Sequence, residues 1–122
     1  MVVGIGVDLV DVERFERALT RTPKLRDCLF GGSDLSRHDL SAQSFAARFA
    51  AKEATLKALG GNLQGFSWHD IQVTGEAGQP PTLVLTGAAL ARARERGASS
   101  WHLSLSHDKG MARAFVVMEG AQ

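Results

Sequence analysis

The stretch Phe45-Ala-Ala-Arg48-Phe49-Ala-Ala-Lys52-Glu53-Ala-Thr-Leu56-Lys57-Ala-Leu59-Gly60 constrains the chain more than any other. It reads as one helix, with Ser41 as its cap and Gly60-Gly61 closing it. At about 100° per residue, Phe45, Phe49, Leu56 and Leu59 fall on one stripe, the expected inner face. Lys52 projects from within that stripe, and Arg48 and Glu53 flank it. An ordinary amphipathic helix keeps its charge on the far side. Lys52 could snorkel out of a core, or the charges could form the rim of a site. Glu53 and Lys57 stand four apart, in the order that favours pairing.

With 122 residues, 44% of them hydrophobic, and no low-complexity run, the chain is expected to form one domain over residues 1–122. A net charge of +1 gives no global field for nucleic acid, so an acidic partner would have to meet a local basic patch. Cys28 is the only cysteine, which excludes an intrachain disulfide and a cysteine zinc cluster and suits a reducing compartment. The start, Met1-Val-Val-Gly-Ile-Gly-Val-Asp8, lacks a basic segment before an apolar run. No stretch approaches the ~20 apolar residues needed to span a bilayer. A soluble cytoplasmic protein with no membrane partner is expected.

Val2 to Val7 is predicted as a buried strand that Asp8 ends, its Gly4 and Gly6 marking a place where other backbone or a ligand passes close. Asp11 caps a helix through about Leu19. On it Val12, Phe15 and Leu19 share one side, and Arg14, Arg17 and Arg21 form a basic stripe on the other. Between Arg26 and Leu40 a short helix, a turn and a loop are expected. Ile71 and Val73, the turn from Gly75 to Pro81, and Thr82 to Thr86 then read as a hairpin. Thr86 caps a helix over Ala88 to Arg96. Trp101, Leu103 and Leu105 alternate into the turn Asp108-Lys109-Gly110, which leads to a last strand from Met111 to Met118. This order indicates an α+β fold, a mostly antiparallel sheet with helices packed on one face.

Several chemistries are excluded. Gly4-Ile-Gly6 has Leu9 where a dinucleotide fingerprint needs its third glycine, and no Walker A sequence or Gly-x-Ser-x-Gly elbow is present. Asp8 and Glu53 remain as two hard oxygen donors of the kind that hold Mg²⁺ and leave its other positions to a substrate's phosphates. Lys57 lies one turn beyond Glu53 and could neutralise phosphate charge, with Arg48 and Lys52 as further donors on the same helix and His107 at a strand end as another.

Three blocks carry a family likeness: Gly4-Ile-Gly6-Val-Asp8-Leu-Val-Asp-Val, Arg48-Phe49-Ala-Ala-Lys52-Glu53-Ala-x-x-Lys57-Ala-Leu-Gly60, and Ser104-Leu-Ser106-His107. In order and nearly end to end, the chain resembles the holo-acyl-carrier-protein synthases, small bacterial 4'-phosphopantetheinyl transferases. The resemblance implies a phosphopantetheinyl-transferase-like fold. It also implies Mg²⁺-dependent transfer of 4'-phosphopantetheine from coenzyme A to a serine of apo-acyl carrier protein, releasing adenosine 3',5'-bisphosphate. By motif position, Asp8 and Glu53 would hold the metal, and Lys57 would act with them and contact the diphosphate. Arg48, Lys52, Gly60 and His107 would complete the coenzyme A contacts. Arg14, with Arg17 and Arg21, would receive the acidic carrier. Homotrimers with active sites between subunits are the family's habit. A non-catalytic coenzyme A or nucleotide-binding regulatory module is the alternative. After Leu29-Phe30 the family often has a threonine and then a glutamate, whereas this chain has Gly31-Gly32-Ser33-Asp34.

Overall fold

The computed structural model describes residues 1–35, 40–75 and 78–121. Its elements run β1 (Val2–Asp11), α1 (Val12–Arg21), α2 (Lys24–Leu29), a 3-10 turn (Gly32–Leu35), α3 (Ala42–Ala58), a second 3-10 turn (Trp68–Asp70), β2 (Ile71–Thr74), β3 (Thr82–Leu85), α4 (Gly87–Glu95), β4 (Ala98–Asp108) and β5 (Met111–Gly120). The fold is α+β, and every strand pair described is antiparallel. The strands form two sheets: a three-stranded one in the order β1-β5-β4, and the β2-β3 hairpin. Trp101 Nε1 links them by donating to the Leu83 carbonyl at 3.1 Å. No described helix is long and apolar enough to cross a membrane. The expected loop before the long helix falls partly on residues 36–39, and the β2-β3 turn partly on 76–77, which lie outside the described residues.

Local chemistry sets the boundaries. The Asp11 carboxylate accepts from Arg14 N at 3.0 Å, and Ser41 Oγ accepts from Ser44 N at 3.1 Å, so both predicted caps form. Thr86 makes no side-chain capping bond; Asp70 Oδ2 accepts from Ala88 N at 3.3 Å instead. Lys109 and Gly110, at φ 51° and 76°, supply the two left-handed positions of a tight hairpin turn. The Gly110 carbonyl then accepts from Val12 N at 2.9 Å, tying this turn to the start of α1.

Two expectations are corrected. First, β1 does not end at Asp8: its pairing with β5 runs on through Asp8↔Ala114 and Val10↔Ala112 to Asp11↔Met111. Asp8 is therefore an inner-face residue, in line with Gly4, Gly6 and Val10. Second, the inner face of α3 is not the Phe/Leu stripe. Of that stripe Phe45 and Leu59 are buried but Phe49 and Leu56 only half-buried, whereas Ala46, Ala50, Ala51 and Ala54 are fully buried and Ala58 nearly so. α3 packs chiefly on β1 and β5, so the sheet takes one side of it. Its phenylalanines face an aromatic cluster on another side. Phe49 stacks on Phe15 at 4.9 Å and lies 5.5 Å from Trp68, and Phe45 lies 5.1 Å from Phe30. A helix covered from two sides has no single apolar stripe, which is why the alanines rather than the large residues meet the strands.

The glycines of β1 make that contact possible. A Cβ on Gly4 would stand 2.3 Å from the Ala58 carbonyl oxygen, and one on Gly6 only 1.8 Å from that of Ala54. Backbone lies against backbone at these two positions. At the next inner-face position, Asp8, the strand carries a side chain again.

Candidate active site

Tight seating of α3 on β1 brings two carboxylates and a lysine together. Lys57 Nζ donates to Asp8 Oδ1 at 2.9 Å and to the Val7 carbonyl at 3.1 Å. The Lys57 side chain is 57% exposed and that of Asp8 only 10%, so the ammonium reaches in from solvent. Asp8 Oδ2 is buried and meets no lysine, backbone or hydroxyl donor, so the hydrogen bond open to it is from a protonated Glu53 carboxyl. Beside it, burial, the Asp8 charge and a hydrogen bond to Asp8 push the Glu53 carboxyl up to about 7, with Lys57 pulling the other way.

Two carboxylates this close share a proton when no cation is near, and a cation could stand in that proton's place. The donors are hard oxygens, which suits Mg²⁺ better than a softer metal. Among the described residues no group of three or more histidine, cysteine or acidic side chains could enclose a metal. Asp8 and Glu53 are the two oxygen donors here that could hold a magnesium ion, and Lys57 meets Asp8 at Oδ1 rather than Oδ2. A depression of about 420 Å³ opens over them, lined also by Asp11, Arg14, Phe15 and Phe49. Arg14 is therefore the stripe arginine nearest the carboxylates. Arg17 and Arg21 lie farther along the exposed side of α1, where Arg17 pairs with Glu13 at 3.0 Å.

Raised proton affinity at Glu53 has a consequence for stability. Its folded-state value lies above the ordinary 4.5, so folding takes up a proton between about 4.5 and 7. The associated stabilisation is complete below the lower value and is lost as pH rises through the upper one. Without divalent ions, melting temperature should fall as pH rises across this window, and Glu53→Gln should flatten the profile. Circular dichroism melts in chelator from about pH 5 to about pH 8 will check it; equal slopes in both proteins would contradict it.

Other predicted residues lie elsewhere. Arg48 and His107 line a second depression of about 270 Å³, with Ser44, Leu105 and Pro81 among its other walls. His107 belongs to β4, one edge of the three-stranded sheet, and Asp8 to β1, the opposite edge, with β5 between them. Strand spacing puts those edges roughly 10 Å apart. The arginine is largely covered: Nε donates to the Asp34 carbonyl at 3.2 Å and a terminal nitrogen to that of Ser44 at 3.4 Å. Gly60 stands past the end of α3 at φ 90°, with the Arg96 guanidinium where a Cβ would be.

Lys52 is not on a rim and does not offer phosphate a donor. It is fully buried, and its ammonium spends all three N–H bonds internally, on Asp34 Oδ2 at 2.7 Å, on the Trp68 carbonyl at 2.9 Å and on the Ile71 carbonyl. Burial lowers its proton affinity, while the hydrogen bond and charge of Asp34 oppose that loss. Asp34, equally buried, is the residue that sequence reasoning missed. One signal was available: a lysine inside an apolar stripe requires a buried carboxylate, and Asp34 follows Phe30 by four residues in a segment without clear periodicity.

Comparison with known proteins agrees in family. Residues 4–117 match the sequence pattern of the 4'-phosphopantetheinyl transferase superfamily. The chain is 52% identical over 122 residues to the holo-[acyl-carrier-protein] synthase of Salinispora arenicola, covering 98% of this chain and 99% of that protein. The crystal structure of the Neisseria meningitidis holo-[acyl-carrier-protein] synthase superposes with a TM-score of 0.85 at 30% identity, over 98% of this chain and 99% of that one. The Helicobacter pylori synthase, solved in complex with coenzyme A, superposes with a TM-score of 0.80 at 30% identity, over 94% and 99%.

Proposed function

Because the chain belongs to the 4'-phosphopantetheinyl transferase superfamily, among its holo-[acyl-carrier-protein] synthases, we propose that it moves 4'-phosphopantetheine from coenzyme A to a serine of apo-acyl carrier protein in a magnesium-dependent reaction. The observation that carries this reading is the buried Asp8 Oδ2 beside Glu53 and Lys57.

Asp8 and Glu53 would hold the magnesium, which when bound neutralises charge on the coenzyme A diphosphate. Lys57, exposed and already at Asp8, would add its N–H donors to the same diphosphate. Gly60, just past the end of α3 and against the Arg96 guanidinium, would add a backbone contact to coenzyme A. The serine oxygen bonds to the phosphorus that carries pantetheine, the bond to the bridging oxygen breaks, adenosine 3',5'-bisphosphate leaves, and the serine proton passes to solvent. Positioning and charge neutralisation carry most of such a reaction. Arg48 and His107 would serve the nucleotide end. Arg14, Arg17 and Arg21 would receive the acidic carrier, with Arg14 closest to the carboxylates.

A homotrimer with active sites between subunits suits this division. The two groups of site residues lie at opposite sheet edges, so one subunit's Asp8, Glu53 and Lys57 could meet its neighbour's Arg48 and His107. The outward sheet face also exposes Ile5, Val7, Leu9 and Phe115, between 44% and 65% accessible, and Val7 pairs with Phe115. An apolar face of this kind favours burial against another copy. The cytoplasm, where a lone unpaired Cys28 is suited, is the proposed location, and acyl-chain synthesis the proposed use of the product.

Intact-mass spectrometry of apo-acyl carrier protein incubated with the protein and coenzyme A tests the proposal. The carrier should gain one phosphopantetheine mass with magnesium and none in chelator. Tight coenzyme A binding with no gain on several carriers would instead leave a non-catalytic binding module.

A further inference from the structure

α3 carries residues for both edges of the sheet, and its seat on the sheet is smooth. Val10, Val116 and Met118 are the larger buried residues of this sheet face, but where α3 comes closest, over Gly4 and Gly6, it presents only Ala54 and Ala58. Side chains this small offer no ridges to interlock, so the contact sets the height of α3 over the strands better than its roll about its own axis. Roll matters chemically: a turn of roughly 20° moves an atom at the ~6 Å side-chain radius by about 2 Å.

A polar anchor opposes that roll. Lys52 joins α3 to both 3-10 turns and to β2 through Asp34, Trp68 and Ile71. Asp34 is itself held on every side: Oδ1 accepts from Val73 N at 2.8 Å, Oδ2 accepts from Gly31 N at 3.2 Å, and its carbonyl accepts from Arg48 Nε at 3.2 Å. Both side chains are fully buried. Stability alone does not account for such a pair, since apolar residues of similar volume often replace a buried ion pair with no loss. Directional bonds at one fixed angle are what apolar residues cannot supply.

We propose that the Asp34–Lys52 pair is a positioning device, which fixes the roll of α3 so that Glu53 meets Asp8 at one sheet edge while Arg48 stays in the depression with His107 at the other. Asp34 and Lys52 are positioning residues, touching neither coenzyme A nor carrier. The inference rests on the proposed transferase reading for its rate effect but not for its effect on cation binding.

The test uses the full-length double variant Asp34→Asn with Lys52→Met. Asparagine keeps an acceptor for Val73 N and gains an amide donor for the carbonyls that lysine leaves, at the cost of the acceptor for Gly31 N. Its melting temperature, its kcat and coenzyme A KM for transfer, and its affinity for Mn²⁺ by electron paramagnetic resonance are compared with the parent. The folded variant should lose about 100-fold in kcat, the scale of a misplacement near 1 Å, with a smaller change in KM. Its Mn²⁺ affinity should weaken at least about tenfold, as when outer support of a metal site is removed. Parent-like kcat and Mn²⁺ affinity would overturn the proposal and leave a packing staple. If the methionine variant does not fold, Asp34→Asn with Lys52→Gln supplies amides on both sides, and the same outcomes decide. A parent that transfers nothing, with Mn²⁺ affinity still weakened in the variant, would remove the transferase reading and leave the positioning role standing.

Discussion

Asp8→Ala is expected to lower phosphopantetheine transfer about 100- to 1000-fold while leaving the fold intact. The two consequences have one cause. In the folded protein Asp8 Oδ2 is buried with no lysine, backbone or hydroxyl donor, and the Asp8 charge helps hold Glu53 protonated up to about pH 7. Removing the carboxylate relieves both penalties and sacrifices the Glu53 hydrogen bond and a contact with a lysine side chain that is more than half exposed, a kind of pair that stabilises little. The same change takes away one of two proposed ligands for the ion that neutralises the diphosphate, and losing a preorganised electrostatic partner typically costs 10²–10³-fold. Steady-state transfer to apo-carrier and a thermal melt, both on the purified variant, read the two effects. A variant that keeps more than about a tenth of parental turnover with magnesium would rule out Asp8 as a ligand.

Gly6→Ala should give the largest loss of stability of any alanine placed at a described glycine, about 3 kcal/mol and roughly 10 °C in melting temperature. The added carbon would stand 1.8 Å from the Ala54 carbonyl oxygen, with the Ala58 amide nitrogen at 2.9 Å. Both neighbours are helix backbone, which cannot turn aside as a side chain can, so α3 must lift from β1 as a body. Lifting it also parts Asp8 from Glu53 and Lys57, and activity should fall even where the variant remains folded. Gly97→Ala is the control: that glycine has φ 79° but nothing within 4 Å of the added carbon, so only the backbone penalty of about 1 kcal/mol applies. Equal losses in the two variants would show that close approach of helix and strand is not what Gly6 provides.

Much of the molecule was legible because the signals were local. Asp11 and Ser41 announce helix starts through their side-chain oxygens, Lys109-Gly110 announces a two-residue hairpin turn, and alternation announces β4 and β5. The carboxylate pair was legible by elimination and by motif. Boundaries set by partners were not. Asp8 resembles a strand end only until β5 is seen continuing the ladder to Asp11, and Thr86 resembles a cap until the Asp70 carboxylate takes its place.

Periodicity counts the side chains that shun water, but it cannot tell which neighbour covers each of them. The sequence alone determined that residues 42 to 58 form a helix, that Gly4 and Gly6 lie in a strand where other backbone passes close, and that Glu53 and Lys57 share one side of the helix. Tertiary structure decided that the alanines, not the phenylalanines, meet the sheet, that Lys52 is a buried anchor for Asp34 rather than a rim cation, and that Asp8 and His107 occupy opposite sheet edges. The reason is physical: local geometry fixes which residues point the same way, whereas the free energy of burying a charge or a methyl depends on atoms brought there from distant parts of the chain.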